Sequence, residues 1–111
     1  MFPQPLRLFG SRRRTEVLIM LALLEQTYAR ELARLIKAPL FSVQTIVDRL
    51  ESDGIVAVRS VGRTRVMTFN PRFVAVKELR GLLLKLARGE PELNAAAESR
   101  RSRPRRKGKP L

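Results

Sequence analysis

The chain has 111 residues, enough for one domain with a modest apolar core, and carries 23 Lys and Arg against 10 Asp and Glu, a net charge of +13 that suits a polyanion binder. It has no cysteine and no histidine, which removes disulfides, thiolate nucleophiles, Ser-His-Asp triads and zinc sites with nitrogen and sulfur ligands, and with them most small-enzyme chemistry. The remaining carboxylates read as solvated helix pairs, as in Glu31 with Arg34, so the chain is expected to be no enzyme and to use no metal or cofactor.

Residues 1 to 10 contain Pro3, Pro5 and Gly10 and read as an N-terminal arm. Ser11 is a candidate N-cap for a first helix from Arg12 to about Gln26. Its apolar residues run without a break from Val17 to Leu24, and a helix apolar all round needs burial on more than one face. In a domain this small the second face is expected to meet another copy, giving a homodimer through the first and last helices. The alternative is that the hairpin and the last helix enclose it within one chain. Arg12, Arg13 and Arg14 before this apolar run imitate a secretion signal, but Glu16 interrupts the approach and no small-residue cleavage pattern follows. Eight apolar residues are also far short of the roughly 20 that cross a bilayer. A cytoplasmic protein without a membrane segment is expected.

Thr27 and Tyr28 read as an extended link, and Ala29 to Ile36 as a second helix with Leu32, Leu35 and Ile36 inward and Arg30, Glu31 and Arg34 outward. Lys37, Ala38 and Pro39 break the pattern, with Pro39 suited to the first turn of a third helix that stops at Gly54. At 100° per residue Val43, Ile46, Val47 and Leu50 share the inner side. The outer side carries Phe41, Thr45, Asp48 and Ser52, flanked by Ser42, Gln44 and Arg49.

Two β-prone runs, from Ile55 to Ser60 and from Thr64 to Phe69, then surround a glycine. With Gly62 and Arg63 as the loop, Val58 lies opposite Met67 and Val56 opposite Phe69, which gathers four apolar residues on one face and leaves Arg59, Thr64 and Thr68 on the other. Arg63 and Arg65 fall at or near the tip. Asn70 and Pro71 end the hairpin, and Phe73 to about Arg88 reads as a last helix with Gly81 inside it. Residues 89 to 111 read as a disordered basic tail, so the domain is expected to span residues 11 to 88. The charge is shared between them: 16 basic and 7 acidic side chains in residues 1 to 88, and 7 and 3 in residues 89 to 111.

Three helices, a hairpin and a closing helix, mainly α with a small β wing, make the order of a winged helix-turn-helix. The segments LFGSRRRTEVLIMLALL, YARELARLIKAPLFSVQTIVDRLESDGIVAV and VGRTRVMTFNP together resemble the ArsR-like superfamily of winged helix-turn-helix regulators, including small winged modules linked to nucleotidyltransferases. The likeness covers roughly residues 8 to 88. It implies that Phe41 to Arg49 is a recognition helix, that Arg63 and Arg65 belong to a wing, and that first and last helices form a dimer. The chain departs from the pattern at Lys37, where glycine is common, at Pro39, where a capping Ser or Thr is common, and in lacking the Cys or His ligands of metal-sensing members.

A helix of this kind fits the DNA major groove with its N-terminal half at the base edges. Gln44 suits adenine, Ser42 and Thr45 donate or accept, Arg49 suits phosphate, and Phe41 is either a thymine-methyl contact or part of the core. Asp48 either accepts from cytosine or pairs with Arg49 or Lys37. Arg59, Arg63 and Arg65 are expected to meet the backbone or minor groove, and Arg12, Arg13, Arg14 and Lys37 to meet phosphate or an acidic partner, since three cations in a first helical turn oppose the dipole. The reading is a sequence-specific regulator of transcription bound to double-stranded DNA, with any effector unspecified. The rival readings are an adaptor or antitoxin-like module with secondary nucleic-acid binding, and an RNA binder relying on the basic tail. The six scattered aromatics give the latter no stacking platform.

Overall fold

The computed structural model describes residues 8–102, with side chains through residue 100; the first seven residues of the expected arm and residues 103–111 of the expected tail lie outside the described residues. The element order is α1 (Arg12–Leu24), β1 (Thr27–Tyr28), α2 (Ala29–Ile36), α3 (Leu40–Ser52), β2 (Val56–Val61), β3 (Thr64–Phe69), α4 (Val76–Ala87) and α5 (Pro91–Ser102). The result is a mainly helical fold with one small antiparallel sheet. No described helix is long and apolar enough to cross a membrane.

Helix α1 starts where Ser11 Oγ accepts the Arg14 N–H at 3.1 Å, as its N-cap position requires. Every residue from Thr15 to Ala22 is buried, Val17, Ile19, Met20 and Leu21 completely. The cover comes from the chain itself. Leu83 and Ala87 of α4, Leu93 and Ala97 of α5, Leu32 and Ile36 of α2, Val43, Val47 and Leu50 of α3, and Met67 of β3 join α1 in one cluster. The expectation that a second copy must cover α1 therefore loses its basis, because a helix the sequence reading did not contain supplies the missing side.

That helix is α5, and it corrects the reading of residues 89 to 111 as disordered: Pro91–Ser102 is helical, so the folded unit extends past residue 88. Pro91 occupies the first helical position, where its missing N–H costs nothing, and Leu93 and Ala97 follow at the spacing of one face. A second correction concerns Glu31. It is 7 % exposed instead of solvated, accepts the Thr27 hydroxyl at 2.6 Å and pairs with Arg100 of α5 at 3.5 Å. A buried carboxylate needs such partners, and here they tie β1, α2 and α5 at one point.

The hairpin has the anticipated register, Val56 opposite Phe69 and Val58 opposite Met67, with Gly62 at φ +62° in the turn. The extended link is more than a link: Thr27 and Tyr28 pair with Met67 and Val66, giving the strand order β1-β3-β2. Asn70 fastens the base of the sheet. Its side-chain Nδ2 donates to the Gly54 carbonyl and its side-chain Oδ1 accepts the Arg72 N–H, both at 3.0 Å. The turns that follow delay α4 to Val76, three residues after the expected start.

Between α2 and α3 the chain bends at Lys37, which is left-handed (φ 57°, ψ 50°) and lets the Ala38 N–H close back onto the Ala33 carbonyl at 2.9 Å. Pro39 is extended (ψ 138°) and precedes α3 as its N-cap instead of lying in its first turn. Helix α3 ends before Gly54, left-handed at φ +79°.

Two outcomes are expected. Replacing Lys37 by glycine removes the left-handed penalty of a side chain and should raise stability by about 0.5–1 kcal/mol, read as a higher denaturant midpoint at unchanged slope. Since one chain closes its own core, the midpoint should stay constant over about a hundredfold change in protein concentration; a midpoint that climbs with concentration would show that a second copy completes the fold.

Candidate nucleic-acid interface

Helix α3 lays Val43, Val47 and Leu50 against the core, with Ile46 half-buried beside them. Its opposite side is open. Phe41 is 78 % exposed, which decides between core and surface in favour of the surface. Gln44, Thr45 and Arg49 are exposed and Ser42 half-buried. The Thr45 hydroxyl donates back to the Phe41 carbonyl at 3.0 Å, so its free capacity is that of an acceptor.

The hairpin leans along α3, and the two enclose a groove of about 330 Å³. Gln44 and Asp48 line it from the helix, Arg63, Thr64 and Arg65 from the hairpin, and Tyr28 with Arg30 from the start of α2. Hydrophobic Leu40, Val47, Val58 and Met67 form its floor. Arg30 is a functional candidate that sequence reading places only on a solvated face. Its outward direction is visible in the helical period, but its convergence on Gln44 and Arg63 depends on how α2 crosses α3.

The arginines expected to serve alike fall into two groups. Arg63 sits on the turn and Arg59 on the outer face of β2; both are exposed, and among the described residues neither has an ion-pair partner, and the same holds for Arg30 and Arg49. Arg65 is engaged. Its guanidinium lies 4.0 Å from Asp48 and 3.3 Å from Glu51, about one and two turns past Gln44 on α3. Asp48 thus pairs across to the hairpin and not with Arg49 or Lys37, and Arg65 holds the hairpin at its angle to α3.

Arg12, Arg13 and Arg14 also have partners within the chain. Arg12 and Arg13 both reach Glu16, at 3.2 and 3.1 Å, Arg13 donates to the Ile36 carbonyl at 3.3 Å, and Arg14 reaches Asp53 at 3.5 Å. Glu16 offsets the cations that oppose the α1 dipole, and Arg13 caps an orphan carbonyl at the end of α2. Arg14 is thereby held at the C-terminal end of α3 and Arg13 at the C-terminal end of α2. None of the three lines the groove, and of the four expected phosphate contacts only Lys37, which is exposed, has no side-chain partner among the described residues.

The two groups of hairpin arginines should separate in stability measurements. Arg65→Ala removes contacts to two partly exposed carboxylates and should cost up to about 1 kcal/mol, whereas Arg63→Ala should change stability by less than about 0.3 kcal/mol, both by denaturant titration. Equal costs would mean that Arg65 has no bracing role. No family model, curated protein or solved structure matches this chain.

Proposed function

We propose that the chain is a winged helix-turn-helix module that binds double-stranded DNA and regulates transcription, with the N-terminal half of α3 in the major groove and the hairpin as a wing on the backbone. The observation that carries the proposal is the convergence on one groove, beside the open end of α3, of Gln44, Arg30 and Arg63, whose side chains have no hydrogen-bond or ion-pair partner among the described residues. Polar groups free of internal partners are available to a ligand without breaking a native bond, and a set with two guanidiniums and a carboxamide suits phosphates next to base edges.

The distribution of acid limits how the helix can sit. Asp48 and Glu51 occupy the second half of α3 and Asp53 is its C-cap, so only the first half, with Phe41, Ser42, Gln44 and Thr45, approaches bases without bringing carboxylates against phosphate. Phe41 at this end offers a ring to a thymine methyl, and Arg49 and Lys37 are placed for backbone. Arg65 acts through position, bracing the wing. A second copy, expected from the sequence through the first and last helices, would meet the outer side of α4, where Leu82 is 42 % exposed, since α1 offers no free face.

Fluorescence anisotropy on duplexes across a salt series tests the reading. Binding should weaken with log salt at a slope of about −0.9 per phosphate contacted. Arg63→Ala should lower the slope by about one and weaken all duplexes alike, whereas Gln44→Ala should cost about 1–3 kcal/mol on a selected site and little on a scrambled one. Asp48→Asn removes a repulsive charge and should tighten binding about threefold. Loss of all sequence preference together with indifference to Gln44 and Arg63 would overturn the proposal in favour of an adaptor whose charge attracts nucleic acid only generally.

A further inference from the structure

The C-terminal end of α2 and one face of α5 enclose a second hollow, of about 530 Å³, that shares no residue with the groove beside α3. Its size falls in the range of small-ligand sites. Half-buried Leu35 and Ala96 and buried Leu93 give it an apolar floor. Three exposed charged side chains stand around that floor, Arg34 and Lys37 on the α2 side and Glu92 on the α5 side. Among the described residues none of the three has an ion-pair or side-chain hydrogen-bond partner, although charges of both signs line the same hollow. Glu16 also lines it, but Arg12 and Arg13 hold its carboxylate at 3.2 and 3.1 Å, so it adds no free anion. Arg13 caps the Ile36 carbonyl at 3.3 Å as well, which offsets the negative end of the α2 dipole beside Arg34 and Lys37. The Ser99 hydroxyl donates to the Ala96 carbonyl at 2.7 Å and so keeps its lone pairs for an N–H donor.

We infer that this hollow is a binding site for a free α-amino acid with an apolar side chain. The ligand carboxylate lies at Arg34 and Lys37, its ammonium at Glu92 and Ser99, and its side chain over Leu35, Leu93 and Ala96. An apolar floor alone would accept any hydrocarbon, and two cations alone any anion. A floor with unpaired charges of opposite sign on its two walls matches a ligand that carries both charges on one carbon with an apolar group beside them. A simple carboxylate would leave Glu92 unpaired beside a second anion, and a simple amine would leave Arg34 and Lys37 unpaired beside a second cation. Lys37 is also the left-handed residue of the elbow between α2 and α3, so the ligand bears directly on the bend that aims α3. Nothing in the site depends on how α3 meets DNA.

The test titrates the full isotope-labelled chain with L-leucine and follows its amide resonances by NMR. Saturable shifts should centre on residues 34–37 and 92–99. L-leucine should bind at least about tenfold more tightly than isocaproate, which lacks the ammonium, and than isoamylamine, which lacks the carboxylate. Glycine, which lacks the apolar group, should be weaker by at least about the same factor. Arg34→Gln and Glu92→Gln alter exposed side chains without internal partners, so both variants should fold as the parent does, and each should weaken L-leucine binding about tenfold. Ala96→Leu adds bulk to the floor and should abolish binding while leaving the thermal midpoint within a few degrees of the parent. Shifts that do not saturate, or L-leucine binding indifferent to both Arg34→Gln and Glu92→Gln, would overturn the site. Equal affinity for L-leucine and isocaproate would overturn the assignment of an amino acid in favour of a plain carboxylate.

Discussion

The fold depends on burying α1 on every side. A helix with an unbroken apolar run from Val17 to Leu24 has no stripe to aim at a single neighbour, so its sequence demands an enclosure more than a partner. Four helices and a strand provide it, and each is thereby fixed relative to the others by a common contact with α1. The orientation of α3 toward solvent follows from this arrangement. Val43, Val47 and Leu50 are consumed by the core, and what remains of the helix surface is Phe41, Gln44, Thr45 and Asp48.

Charge is sorted by the same geometry. The cations nearest α1, Arg12 to Arg14, are drawn into pairs with Glu16 and Asp53, where they link the ends of three helices. Those on the hairpin divide between bracing and availability, with Arg65 spent on α3 and Arg63 left over the groove. A net charge of +13 therefore overstates what the folded surface offers to a polyanion near the groove and understates how directional it is. Pairs of this exposure contribute little to stability, so the division reflects placement more than strength.

The hairpin is fully legible in the sequence because alternation with period two and a glycine turn fix its register, and a slip by one residue would invert every side chain. The inner face of α3 is legible for the same kind of reason. Helix α5 is not. Its inward residues Leu93, Ala96, Ala97 and Arg100 do follow the spacing of one helix face, but three of the four are small or charged, and the basic run that follows dominates the composition. Missing α5 then leaves one side of α1 without visible cover, and that open side is what invites a second copy in the sequence reading. Glu31 escapes for a related reason: a carboxylate on a helix reads as solvated until the arginine that meets it, far away in sequence, has been placed. The candidate site is legible as residue types on α3 and the turn, but the separation of Arg63 from Arg65 and the arrival of Arg30 depend on tertiary contacts that no local pattern encodes.

Lys37 shows what such dependence means for the unit as a whole. A lysine prefers other backbone states to the left-handed one by about 1–2 kcal/mol, so the bend between α2 and α3 runs against local preference. The two helices keep their mutual angle because both are clasped by the same core, and a peptide comprising them alone would spend most of its time with the elbow straightened. The angle between α2 and α3 is thus a gauge of core integrity, and any event that loosens α1 is transmitted to the groove as a change of shape before the chain unfolds.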